Sequence, residues 1–459
     1  MPNSTVVITG LGVVSSIGIG SDVFFDALLN QKSGITSLEN RVDDGAKPPA
    51  DWETSEPAEH RGLWVGGPII DFDAKQYVRP RKAMKVMCRE IQLCFAASQL
   101  AIGHAGLDTS FPVEEGSDSP IQPADIGTVF GSEMFYGPPS EMEDAMRECI
   151  DENRNFDASA FGAAAMKQVL PLWMLKYLPN MPACHVGISM NAQGPNNTLV
   201  LGDVSGPAAM IEAVGCLQRG IASVMVAGGV GTRINTTRMN YRGDLPIAEP
   251  IEPIELSSRP YDPASRGVVG GEAAATMVLE NADAVAKRGG RVVARLVSHA
   301  SRFVPSAGMQ QPLRSAGNDQ PEIRGSSRAI SLAIEGALQS AGLSVKDIGV
   351  LVGHGSGDPI LDKAEQNAIL KSLPGVGVIS PTAAIGHTGA ASGSISLVTA
   401  ALVIEKKMIP PTIGPAAATC QVPVVRTATP LKTDYVMCLT HTSEGSAIAV
   451  ILGTAKPTA

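Results

Sequence analysis

The chain has 459 residues, 44% of them hydrophobic but only 4% aromatic, and a formal charge of −9 with Lys and Arg scattered rather than gathered in runs. That content supports a large aliphatic core, as one α/β unit or two domains, and speaks against nucleic acid or an acidic membrane as partner. Seven cysteines without C-x-x-C spacing speak against a disulfide framework or a structural zinc, and for a reducing, cytoplasmic setting.

The opening residues run straight into a strand-like segment, and no apolar stretch is long enough to cross a bilayer, so neither a signal peptide nor a membrane span is expected. Strand-like runs then follow in chain order at Thr5 to Ile8, Val224 to Ala227, Val292 to Leu296 and Val350 to Val352. Helical stretches at Glu90 to His104 and Arg328 to Ser340 alternate with them. The alternation predicts an α/β fold with buried sheets.

Ala105-Gly106-Leu107 followed by Asp125-Ile126-Gly127 is echoed by Ala341-Gly342-Leu343 followed by Asp347-Ile348-Gly349. Read as a repeat, this is a duplicated unit, with halves at 1–254 and 255–459; read as coincidence, it is a common helix ending with glycine in the left-handed position. Leu245 to Pro263, rich in Pro and acidic residues, is expected to be a surface connection, and Leu38 to Arg61 and Ser301 to Gly325 to be loops or ordered lids.

The segment from Gly194 to Pro207 reads as a strand turning sharply into a helix whose body is Ala208 to Leu217. An apex side chain there sits at a helix N-terminus, where backbone N–H groups and the helix dipole favour an anion, and Asp203 suits the position. The simpler reading makes Asp203 an N-cap with Pro207 in the first turn.

Gly194-Pro195, Gly202-Asp203-Val204-Ser205-Gly206 and Ala227-Gly228-Gly229 stand in the order and spacing of the β-ketoacyl synthases. So do Arg259-Pro260-Tyr261-Asp262, Gly270-Gly271-Glu272, His354-Gly355-Ser356 with Asp362 eight residues after the histidine, and Gly386-His387. The chain resembles that family over nearly its whole length. The resemblance implies a duplicated thiolase-like αβαβα layered fold, a dimer, and an acyl substrate carried on the phosphopantetheine arm of an acyl carrier protein, with no bound cofactor. It also implies that His354 and His387 are the two active-site histidines.

The departures from the family pattern are specific. Asp203 stands where the family has its nucleophilic cysteine, Thr382 where it has a lysine, and Ser396 or a neighbour where a glutamate is usual. Ser356 and Asp358 replace two threonines near the pantetheine arm, and His441, anchored on Gly445, falls at the phenylalanine gate of the acyl pocket. A carboxylate is a weak nucleophile and its anhydride hydrolyses readily, so normal acyltransferase condensation on Asp203 is not expected. Ser205, Cys216 and Cys438 lie near in sequence or in the motif frame, but none occupies the apex.

Three readings follow. The first is a non-condensing subunit resembling a chain-length factor, paired with a cysteine-containing ketosynthase; a homodimer would favour the second. The second is an enzyme using Asp203, His354 and His387 as an acid–base set on an acyl thioester or related carbonyl compound, by hydrolysis, decarboxylation or carbon–carbon cleavage. The third, ranked last because no local ligand spacing supports it, is a metal site on the same residues with His441.

Overall fold

Gly106 and Gly342, the glycines of the two echoed segments, close their helices in the same left-handed conformation, at φ +67° and +66° in the computed structural model. In both, the following leucine N–H reaches back five residues, from Leu107 to the Ile102 carbonyl and from Leu343 to that of Leu338. A single turn comes next, in which an aspartate takes back a backbone N–H: Gln122 to Asp125 at 3.0 Å and Ser344 to Asp347 at 2.8 Å. The echo is a structural repeat down to its hydrogen bonds.

The structure describes residues 5–38, 65–107, 111–117, 119, 121–137, 140–234, 245–310, 323–414 and 420–455. Most of the expected excursion from Leu38 to Arg61 and the middle of that from Ser301 to Gly325 lie outside the described residues.

The first half runs β1 (Val6–Ser15), α1 (Arg89–His104), β2 (Ile126–Gly131), α2 (Met181–Met190), β3 (Asn196–Leu199), α3 (Ser205–Gln218), β4 (Val224–Thr232), β5 (Gly270–Asn281). The second runs β6 (Ala294–Phe303), α4 (Ser327–Ala341), β7 (Ile348–Val352), α5 (Pro359–Ser372), β8 (Val378–Ile379), α6 (Ser392–Lys406), β9 (Tyr435–His441), β10 (Ser446–Gly453).

Sheet order is β3-β2-β4-β5-β1 in one half and β8-β7-β9-β10-β6 in the other, the same order of third, second, fourth, fifth and first strand. In each half the first three strands of that order are parallel and the remaining neighbours antiparallel. The sheets join antiparallel through Val7 opposite Arg295 and Ile8 opposite Ala294. Because β5 completes the first sheet, the repeat boundary falls between Asn281 and Ala294; a division at 254/255 would cut β5 from the strands it pairs with.

Five layers result. Helices α3 and α6 form the middle layer and share one core with the facing sides of both sheets. The outer side of the first sheet packs on α1 and α2, and that of the second on α4 and α5. The sequence of α6 explains its place: from Ser392 to Ile404 every residue is small or apolar and every one is buried, as a helix enclosed on all sides requires. Among the described residues no helix is long and apolar enough to cross a membrane. The connection at Leu245 to Pro263 departs from the surface expectation at its end, where Ser257, Ser258, Tyr261 and Asp262 are buried.

Candidate functional site

Asp203 lies in the turn between β3 and α3, with Gly202 at φ +64° ahead of it. The N-cap of α3 is Val204, and no side chain caps it. This corrects the simpler reading: the Asp203 carboxylate does not serve its own helix. Ser205 holds the turn instead, donating to the Gly202 carbonyl at 2.6 Å and accepting from the Leu201 N–H at 2.8 Å.

The carboxylate faces the other half of the chain. Its Oδ2 is 3.2 Å from His387 Nε2 and 3.4 Å from His354 Nε2, and its Oδ1 is 3.3 Å from the Arg233 guanidinium. All four side chains are buried. Arg233, which follows β4 directly, carried no recognisable signal in the sequence; a buried arginine looks like any strand-end arginine until its partner is known.

His387 is fixed at the seam between the halves. Its N–H donates to the Val269 carbonyl at 2.8 Å and its carbonyl accepts from the Gly271 N–H at 2.9 Å, so its backbone rides on β5. The close approach explains two glycines: a methyl group on Gly271 would meet the Ile385 carbonyl oxygen at 2.0 Å, and one on Gly386, at φ +78°, the Gly270 oxygen at 2.7 Å.

His354 is held by two carboxylates one helical turn apart on α5. Glu365 accepts the N–H groups of His354 and Gly355, each at 2.9 Å, and Asp362 those of Ser356 and Gly357 at 2.7 and 3.0 Å. Four consecutive N–H groups are thereby satisfied away from water. Glu365 also accepts from the Tyr261 hydroxyl at 2.9 Å and lies 3.1 Å from His441 Nε2. His441 ends β9, is buried, and sets its ring edge-on to His354 at 4.9 Å between centroids.

Of the remaining expected pocket residues, Thr382 donates to the His354 carbonyl at 3.1 Å and the Ser356 hydroxyl to Asp362 at 2.9 Å. Asp358 caps α5 through the Ile360 N–H at 3.0 Å and is ion-paired with Arg324. These three side chains buttress the His354 loop. Cys438 donates its thiol to the Ser396 carbonyl, and burial pushes its pKa far above the ordinary range; Cys216 sits three turns along α3.

Burial alone would push the Asp203 carboxyl up, but His387, His354 and Arg233 together outweigh it and hold the group well below the usual carboxylate range. Burial opposes a charge on His354, yet the Asp203 carboxylate, then Glu365 and Asp362, raise its pKa. His387 goes the other way: burial lowers it, Asp203 opposes, and the Arg233 and His354 cations add to the lowering. Asp362 is pushed up to about 7, first by burial and then by Glu365. The apex thus favours the charged forms of Asp203 and His354 beside a permanent guanidinium and disfavours a charge on His387.

The ligand-type atoms of Asp203, His354 and His387 lie within 4.8 Å of one another, the one such group among the described residues. Two contacts compete with a metal ion there. The Gly389 N–H donates to His387 Nδ1 at 3.4 Å, a contact that favours the neutral tautomer with its proton on Nε2, the atom a metal would need. Arg233 already occupies the other carboxylate oxygen.

Five layers built from a duplicated unit, with an apex at a buried helix N-terminus facing two histidine loops across the seam, define the thiolase-like class. Residues 3–284 match the family model "Beta-ketoacyl synthase, N-terminal domain" and residues 308–415 its C-terminal domain; the chain belongs to the beta-ketoacyl synthase family. It is 26% identical to 3-oxoacyl-[acyl-carrier-protein] synthase 2 of Synechocystis sp. over 422 residues, 89% of this chain and 87% of that one. It is likewise 26% identical to the enzyme of that name from Staphylococcus aureus over 415 residues, 90% of this chain and 88% of that one.

Among solved structures it is similar in fold to the ishigamide ketosynthase/chain length factor (TM-score 0.75, 19% identity, covering 99% of this chain and 100% of that one). A beta-ketoacyl synthase from Burkholderia phymatum superposes equally well (TM-score 0.76, 21% identity, the same coverage). So does a type II polyketide ketosynthase solved with its acyl-carrier protein (TM-score 0.73, 20% identity, again the same coverage).

Proposed function

We propose that the chain is a non-condensing, chain-length-factor-like subunit of cytoplasmic fatty acid or polyketide biosynthesis. It pairs with a cysteine-containing ketosynthase and shapes the pocket around an acyl chain on the phosphopantetheine arm of an acyl carrier protein. The observation that carries this reading is that both oxygens of Asp203 are engaged, Oδ1 by Arg233 and Oδ2 by two imidazoles. A carboxylate so held has little basicity left, and a carboxylate is in any case a weak acyl nucleophile. Ser205 is spent on its own turn, and the nearest thiols are in helix and strand interiors.

The surface supports a partner. Among the described residues strand β3 ends the sheet with an unpaired edge, and Met134, Ile188, Val200 and Leu201, near it in the chain or on the helix that packs on it, expose 50, 75, 47 and 52% of their surface. An open edge flanked by apolar side chains is a pairing surface for another chain. A homodimer would use the same edge.

The acid–base reading draws on one feature: the Asp203 carboxylate 3.4 Å from His354 Nε2 favours the protonated imidazole, the form that can donate a proton. Native mass and composition of the protein, purified from its own host without chelators, separate the two. A complex with a cysteine-containing synthase-like chain is expected. A self-dimer that turns over acyl thioesters, and loses that turnover in a His354→Ala variant, would overturn the subunit reading.

A further inference from the structure

We propose that a cleft behind the His354 loop, separate from the apex, binds a small neutral amide. The cleft encloses about 430 Å³ between Tyr261 and Asp262 on one side, Asp362, Lys363 and Gln366 along one face of α5, and Gln421. Small-molecule sites span about 300–1,000 Å³, so the space admits a ligand of several heavy atoms rather than a lone water.

Gln366 points to that ligand. The residue is only 8% exposed and lines the cleft, yet among the described residues nothing hydrogen-bonds its carboxamide. Buried amides are as a rule paired, because an unmet donor or acceptor is costly. Gln421 offers a second carboxamide. Lys363 donates to its Oε1 at 2.7 Å, which fixes the orientation of the group and leaves its NH2 facing no described partner.

The two carboxylates decide the charge class. Asp362 already accepts four bonds, from the Ser356 N–H and hydroxyl at 2.7 and 2.9 Å on Oδ1 and from the Tyr261 and Gly357 N–H groups at 2.9 and 3.0 Å on Oδ2. Asp262 accepts the Ala264 N–H on Oδ1 and the Arg259 guanidinium on Oδ2, each at 2.8 Å. A carboxylate has about four lone-pair sites, so Asp362 has none left for an amine, while the negative charge of the wall tells against an anion. The groups still open are neutral. A ligand amide answers them, its carbonyl accepting from the Gln366 and Gln421 NH2 groups and its N–H donating to Gln366 Oε1.

The wall is fixed in place. Tyr261 holds a left-handed backbone at φ +63°, rare for a bulky residue, with its N–H on Asp362 and its hydroxyl on Glu365, each at 2.9 Å. Since Asp362 also carries the Ser356 and Gly357 N–H groups, the cleft shares this wall with the His354 loop.

The probe is N-acetylglycine N-methylamide, and the control is N-acetylglycine, which replaces one amide by a carboxylate. Saturation-transfer NMR on the methyl signals of each compound measures its affinity for the full chain. Saturable binding of the amide is expected, with the carboxylate at least about ten-fold weaker; Gln366→Leu and Gln421→Leu, which each leave a ligand group unpaired, should weaken the amide by at least about ten-fold. Absence of saturable binding would show that water alone satisfies Gln366, and equal binding of the carboxylate, or a folded variant that binds the amide as wild type does, would likewise overturn the proposal. Gln421 is exposed, so Gln421→Leu keeps the test decisive should Gln366→Leu fail to fold.

Discussion

Replacing Asp203 by Asn keeps the shape of the apex and removes its charge. The guanidinium of Arg233, 7% exposed, then loses one carboxylate partner, and the protonated form of His354 loses the partner that raised its pKa. Breaking a buried pair by removing one member costs about 3–5 kcal/mol. At about 2.1 cal/mol/K per residue, cooperative unfolding of 459 residues carries an entropy of about 1 kcal/mol/K, so the midpoint should fall by about 3–5 °C. The pH profile is the sharper readout.

Asp203 has a depressed pKa, so its contribution is present above the unfolded carboxylate value and lost as pH falls through the folded one. His354 has a raised pKa, so its contribution is complete below the ordinary histidine value and lost as pH rises through the folded one. The gap between wild type and Asp203→Asn should therefore be widest between about pH 4 and 6.5 and narrow above it. Scanning calorimetry at fixed ionic strength from pH 4 to 9 measures this. A gap that stays constant across the range, or is absent at pH 6, would refute the charge assignment.

Asp203→Cys should give a thiolate of low pKa, alkylated quickly by iodoacetamide because Arg233 and His354 flank it, yet little condensation in an acyl-carrier assay, since Thr382 supplies no cation. Robust synthesis by that single variant would show the surroundings competent after all. Glu365→Gln should destabilise the fold by about 3 kcal/mol or more, because His354, Gly355, Tyr261 and His441 all lean on that carboxylate; denaturant titration beside Glu405→Gln is the check. Zinc or ferrous ion at ten-fold excess should leave the midpoint unchanged, and a saturable rise abolished in a His387→Ala variant would contradict the tautomer assigned from Gly389.

The layered fold was legible because it is written in local signals: two glycine-closed helices, two strand runs after them, and small apolar residues wherever a helix is enclosed. The histidines were legible because each stands in a short motif with glycines that its backbone path requires. Arg233 and Glu365 were not, since their roles come from partners distant in sequence, 30 residues away for Asp203 and 76 for His441. Asp203 was half legible: its place in the turn followed from the sequence, but its release from capping duty followed from the seam. The division at 254/255 failed for a similar reason, as a long connection preceding β5 looks like a boundary until the strand is seen to return to its own sheet.

The location of the charged pairs bears on how the molecule assembles. Asp203 and Arg233 both belong to the first half, and Glu365 and His441 both to the second. The Asp203 carboxylate therefore has a cationic partner within its own half, and Glu365 has a hydrogen-bonding one within its own. His354 and His387, reaching Asp203 from the second half, are the contacts that register one half against the other.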